Sequence, residues 1–251
     1  MKTIEDHLIF PCLSSRELIP NYFFVFEGEV TEPYFISSFL RSLRDYLEGK
    51  ATIHLMEKKN DDIGRTDIKE LLKIAKEIVA SKKKEGLFKD GKDKVVVFFD
   101  LDRFENDQRR INTLFEKCDD NILLAYTNPS FELFAFLLIN DSLNKHIIPN
   151  KEAILRNYYI ELPDGDKERY IFNLFKSVSH INIKSKKDLE KHNILQALGP
   201  LENAISQEKL INRYLDCAAN NLTSNIGYLL ELIMNNKLSA ITYKKTVDDY
   251  E

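Results

Sequence analysis

The chain has 251 residues, of which 43% are hydrophobic and 30% charged, long enough to bury a substantial core. A net charge of −4 excludes a polycation that coats nucleic acid indiscriminately, and leaves room for local basic patches. No apolar run approaches the ~18 residues of a membrane span. The acidic N-terminus MKTIEDHLIFPCLSS does not read as a signal peptide, and Cys12, Cys118 and Cys217 have neither disulfide nor zinc spacing, so the expected compartment is the reducing cytoplasm.

Taken in chain order, residues 1–20 read as an N-terminal segment. Tyr22 to Phe26 then forms an apolar run suited to a strand buried on both faces. Thr31 is an N-cap for a helix in which Phe35, Ile36, Phe39, Leu40, Leu43 and Leu47 recur at helical spacing. Thr52 to Met56 reads as a second strand, and Thr66 as the cap of a helix running to Lys82. Val95 to Phe99 (VVVFF) is the clearest strand, followed by a helix over Gln108–Cys118 and a strand over Ile122–Tyr126. The turn Thr127-Asn128-Pro129 leads into the apolar helix FELFAFLLI. Strands alternating with helices predict an α/β fold, a mostly parallel sheet over residues 21–145 with helices on its faces. From 146 to 251 only helical periodicity persists, as in Asn193–Ile205, Lys209–Ala219 and Ile226–Met234. That part is expected to be a helical extension packed on the sheet.

Right-handed crossovers bring the C-terminal ends of parallel strands to one edge, where such sheets bind ligands. Two acidic pairs fall there. Glu27-Gly28-Glu29 follows the first strand, and Asp100-Leu101-Asp102 follows VVVFF. Residues two apart in an extended chain point the same way, so each pair can converge on one cation. Grouped carboxylates repel one another without a counter-charge, and hard cations such as Mg²⁺ prefer oxygen ligands. Either pair alone reads as loop solvation; two pairs after the two most apolar strands favour a metal site. Glu132 suits a fourth ligand and equally suits the dipole of a helix start.

These residues carry a resemblance. The segments "FEGEVTEPYF" and "VVVFFDLDRF" resemble the Toprim domain. Together with "NPSFELF" and "NNLTSNIGYLLEL", in that order, they resemble the RloB family over roughly residues 20–235. The chain departs from the family pattern at Phe134, where Trp is usual, in KKNDDIGRTD (58–67), which lacks a Gly-rich stretch, and at Asn221-Leu222. The resemblance implies a catalytic Glu27, a metal-binding Asp100 and Asp102, and an Asn128–Glu132 motif. It also implies Mg²⁺- or Mn²⁺-dependent phosphodiester hydrolysis of DNA or RNA, a place in restriction or anti-phage defence, and an AAA/ABC-type ATPase as partner. Whether the protein forms an oligomer is left open.

Other basic residues could hold a phosphate backbone. Lys184, Lys186 and Lys187, near Lys176, read first as a solvated helix start, and Lys184 is retained as a secondary candidate with Glu29 and Asn128. Arg103 directly follows the Asp pair and joins them, with Arg109 and Arg110 further on. The histidines lack ligand spacing, and no Gly-rich phosphate loop is present. Two alternatives to a nuclease remain. One is a noncatalytic Toprim scaffold serving a partner. The other is an amino-methyltransferase using Asn128-Pro129-Ser130-Phe131, which lacks the expected Gly-rich cofactor loop.

Overall fold

The structure, a computed structural model, describes residues 19–28, 31–56, 67–104, 107–115, 118–185, 189, 194–213, 217–235 and 237. Four parallel strands form its centre: β1 (Asn21–Phe26), β2 (Thr52–Leu55), β3 (Lys94–Asp100) and β4 (Ile122–Asn128). Their spatial order is β2-β1-β3-β4, and a two-residue strand, β7 (Thr223–Ser224), extends the sheet antiparallel to β4. The expected α/β architecture is therefore present.

Alternate residues of these strands serve two cores, as the pleat requires. Tyr22, Phe24, Phe26, Val96, Phe98, Leu123 and Ala125 face one side. There they meet α1 (Thr31–Ser42), α5 (Glu132–Leu137), α7 (Tyr170–Ser179) and α10 (Ile226–Met234). Phe23, Val25, Val95, Val97, Phe99 and Leu124 face the other side, under α3 (Ile68–Lys84) and α4 (Gln108–Phe115). With both faces covered, the strands need no polar alternation, which is why they read as solid apolar runs.

The connections fix where a ligand can sit. The chain leaves β1 through α1 and α2 (Arg44–Leu47) toward β2 at one end of the sheet. It leaves β3 through α4 toward β4 in the opposite direction and on the opposite face. Departing loops thus diverge between β1 and β3, and the C-terminal ends of those two strands are where sheets of this topology bind ligands.

The C-terminal part is mostly helical but not wholly so. After α6 (Lys151–Arg156), a hairpin of β5 (Tyr159–Glu161) and β6 (Lys167–Arg169) interrupts the helices, and β7 joins the main sheet. The hairpin strands are three residues each, too short to establish an alternating pattern, and Pro163-Asp164-Gly165 supplies the turn between them. The expected helix Asn193–Ile205 is two helices, α8 (Ile194–Leu198) and α9 (Leu201–Glu208), broken at Gly199-Pro200. Gly199 has φ +139°, a conformation side chains avoid, and a Cβ there would strike the Leu138 carbonyl oxygen. The expected helix Lys209–Ala219 is not formed over its described residues. Asn212 instead bridges Thr223 of β7. The helix predicted from Thr66 is capped one residue later, by Asp67, whose carboxylate accepts the N–H groups of Lys69 and Glu70; Thr66 lies outside the described residues.

Sheet and C-terminal helices share one core. Phe136 of α5 meets Phe175 of α7 edge to face at 5.7 Å, and Ile226, Leu229, Leu230 and Ile233 of α10 belong to the same buried cluster as Phe24 and Phe98.

Candidate metal centre

Glu27 is the first residue past β1. Its N–H still bonds the Phe98 carbonyl at 2.9 Å, so the strand pairing carries it to the edge of the sheet. Its side chain then turns across to β3, where Oε2 accepts the N–H of Asp100 at 3.0 Å. Asp100 is the last residue of β3 and pairs with Thr127 of β4. The Thr127 hydroxyl, fully buried, donates to Asp100 Oδ1 at 2.7 Å. The two acids expected after the two most apolar strands are therefore neighbours, on the same edge.

Two helix starts bring further carboxylates to this point. Glu132, only 7% exposed, is the first residue of α5, and Glu32 lies in the first turn of α1. Gly28 lets Glu32 come close, because a Cβ at that position would run into the Glu32 carboxylate. The consequence shows in Asp100. The residue keeps some contact with solvent, yet burial of its carboxyl pushes its pKa well above the ordinary range, and the negative charges of Glu32, Glu132 and Glu27 push it further. The Thr127 hydrogen bond opposes that shift without cancelling it.

Asp102 sits differently from expectation. β3 ends at Asp100, and Asp102 opens a short 3₁₀ turn to Phe104, so the extended-chain spacing that would align the two carboxylates no longer holds. Asp102 Oδ2 instead lies 3.4 Å from Nη2 of Arg169, at the end of the β5–β6 hairpin. Lys184 lies at the rim as well, with Nζ 3.9 Å from Glu132 Oε1 and 3.9 Å above the Phe172 ring. Asn128 is turned away from the acids: its side-chain N–H₂ donates to the carbonyls of Ala218 and Asn221 at 2.7 and 2.8 Å, pinning that loop to β4. Arg109 and Arg110 are exposed at the start of α4, on the other side of the sheet, with their N–H groups toward the Asp107 carboxylate. Lys176 is engaged by Glu168 at 2.8 Å. Glu29, Lys186, Lys187 and the side chain of Arg103 fall outside the described residues.

Three residues of this neighbourhood escaped the sequence reading: Glu32, Thr127 and Arg169. Glu32 had a usable signal, since α1 begins four residues after Glu27 and its first turn must lie at the same strand end. Arg169 had none, because its placement depends on a hairpin that only the folded chain reveals.

The donor set is all oxygen, which suits a hard cation such as Mg²⁺. Among the described residues, however, no group of three or more His, Cys, Asp and Glu side chains is drawn together closely enough to hold a metal ion.

The family model for RloB-like proteins matches residues 22–233. This chain belongs to the RloB-like protein family. The match runs from β1 into α10, so the C-terminal helices are as much part of the RloB-like unit as the acidic edge. No curated protein and no solved structure matches the chain. Among the described residues, no helix of this RloB-like protein is long and apolar enough to cross a membrane.

Proposed function

We propose that this RloB-like protein is a divalent-cation-dependent phosphodiester hydrolase acting on nucleic acid, with Mg²⁺ or Mn²⁺ as its cation. The observation that carries the reading is the meeting of Glu27 and Asp100 at one sheet edge, where the charges of Glu32 and Glu132 also act on the buried Asp100 carboxyl. Folding does not gather like charges at a cost unless something repays it, and a bound cation does so. Asp100, Glu27, Glu32 and Glu132 are the residues to hold it, with Asp102 at the margin. Bound there, the cation would orient the phosphate, activate water and stabilise the leaving oxygen.

The chain's own groups prepare the rest. The Thr127 hydroxyl fixes the Asp100 carboxylate, and the Asp100 N–H fixes that of Glu27. A cluster carboxylate takes the proton released as water adds to phosphorus, and Glu27 is the first candidate, either for that role or as a ligand. Lys184 and Arg169, both at the rim, are suited to draw a phosphate toward the acids.

A second reading, a noncatalytic scaffold for a partner such as an AAA/ABC-type ATPase in a defence locus, draws support from a cluster that is not closed among the described residues. The methyltransferase alternative loses ground, because the Asn128 amide nitrogen is committed to two backbone carbonyls.

The deciding experiment follows labelled DNA and RNA with Mg²⁺, Mn²⁺ or EDTA, with and without a neighbouring ATPase. Cation-dependent cleavage lost in Asp100→Asn supports the hydrolase. Undiminished cleavage by well-folded Asp100→Asn removes this site from consideration, and no cleavage by the unaltered protein under any condition favours the scaffold.

A further inference from the structure

We infer that the outward face of the β5–β6 hairpin is a track for single-stranded nucleic acid leading to the acidic sheet edge. This inference rests on the reading of that edge as a phosphodiester site. Among the described residues, the most exposed large apolar side chains are Leu87, Ile148, Tyr158, Tyr159 and Leu210, and the two aromatic ones are consecutive at this hairpin. Tyr159 is 59% and Tyr158 49% exposed, whereas the described phenylalanine side chains are buried in two cores. Exposed aromatic faces have a specific use beside phosphate-binding cations: bases stack on them.

The register supplies the cations. Tyr159 pairs directly with Arg169, and Glu161 with Lys167 two residues along, so all four share one face. Ile160 and Glu168 face the opposite way, where Glu168 is satisfied by Lys176. The shared face thus carries two cations against one acid. The Arg169 guanidinium lies 4.4 Å from the Tyr159 ring centre, and Tyr158 packs against Tyr170 with ring centres 5.3 Å apart. Asp164 and Asp166 occupy the turn and would repel phosphates, which confines the track to the base of the hairpin.

That base adjoins the acidic edge. Arg169 reaches Asp102, and Lys184 reaches Glu132, with both cations open to solvent. A phosphate arriving at Arg169 competes with Asp102 for the guanidinium and frees that carboxylate beside the acids. The unpaired bases of a single strand can lie on Tyr159, on the face that carries Arg169, while its backbone follows Arg169 and Lys184. A duplex offers no such faces, because its bases are stacked inside.

The test is fluorescence anisotropy of labelled single-stranded and duplex oligonucleotides with the full-length protein, in EDTA and again in Ca²⁺, so that binding is read without requiring cleavage. Single strands should bind more tightly than duplex. Tyr159→Ala should weaken single-strand binding on the order of tenfold with little effect on duplex, while Tyr159→Phe retains affinity. Arg169→Ala should weaken it too and flatten its salt dependence. Equal affinity for both forms, or undiminished single-strand binding by Tyr159→Ala whose circular dichroism matches the unaltered chain, would overturn the inference. Cleavage persisting with such a result overturns only the track; binding as expected without any cleavage overturns only the hydrolase reading.

Discussion

Asp100 ties chemistry to stability through a single carboxyl group. In the unfolded chain it loses its proton near the ordinary value of about 3.9. In the folded chain, burial and the charges of Glu32, Glu132 and Glu27 hold the proton to higher pH. Between the two values the folded state binds more protons than the unfolded, so stability falls as pH rises through that window. Glu208 adds the same sign, since its own burial raises its pKa. The cation-free protein should therefore melt at a higher temperature in mildly acidic buffer than at neutral pH. Asp100→Asn should flatten that dependence and raise the neutral-pH melting temperature while abolishing cation-dependent cleavage. A calorimetric series across pH, with and without Mn²⁺, checks both halves. Thr127 allows a finer test. Thr127→Val keeps the shape and removes the hydroxyl that holds Asp100, and should lower Mn²⁺ affinity about 10–100-fold by electron paramagnetic resonance titration. Thr127→Ser should restore most of it; unchanged affinity in Thr127→Val would show that the hydroxyl does not position the carboxylate.

Among the elements, α10 depends on a neighbour for its start. The fully buried Glu208, at the end of α9, accepts the N–H groups of Gly227 and Tyr228, each at 2.9 Å, and the hydroxyl of Ser224. Asn225 makes no side-chain cap there, so Glu208 does that work from another helix. Glu208→Ala strands two buried donors, on Ser224 and Gly227, and the part-buried N–H of Tyr228, and should destabilise the fold by about 2–3 kcal/mol in urea titration. A loss within experimental error would show that water replaces the carboxylate. None of this could be read from one sequence, because Glu208 and Gly227 are far apart along the chain and a lone Glu in a polar stretch looks like surface. The strands were legible for the opposite reason. A two-sided parallel sheet needs uninterrupted apolar runs, and VVVFF and YFFVF have no other use. The acids that follow them were legible with the strands, since topology alone puts Glu27 and Asp100 at one edge. Asp102 departs from the extended spacing because the 3₁₀ turn starts at that residue, although the Leu101 N–H still bonds the Thr127 carbonyl at 2.8 Å.

The whole molecule should unfold as one cooperative body, because its C-terminal helices share a buried core with β1, β3 and β4. Phe175 is fully buried and meets Phe136 across the α5–α7 contact. Phe175→Ala should cost about 3–5 kcal/mol. The loss should appear as one shifted transition rather than as early melting of the C-terminal part alone, with circular dichroism and tyrosine fluorescence superimposing. Two separated transitions would mean that the sheet stands without its helices. A chain ending at residue 145 should accordingly fail to fold, because Phe136 would lose Phe175 and the α5 face that packs on α7 and α9 would meet water.

The hydrogen bond from the Asp100 main chain to Glu27 has one more consequence. It joins the two central acids through a backbone donor whose position depends on how β3 lies along β1. A slip of one residue would turn Phe98 to the wrong core and move that donor out of Glu27's reach. Molecules with mispaired strands would then be silent rather than weakly active. On the hydrolase reading, activity per milligram should thus count correctly zipped chains, and preparations that differ in refolding history should differ in amplitude while sharing the same affinity for cation and substrate.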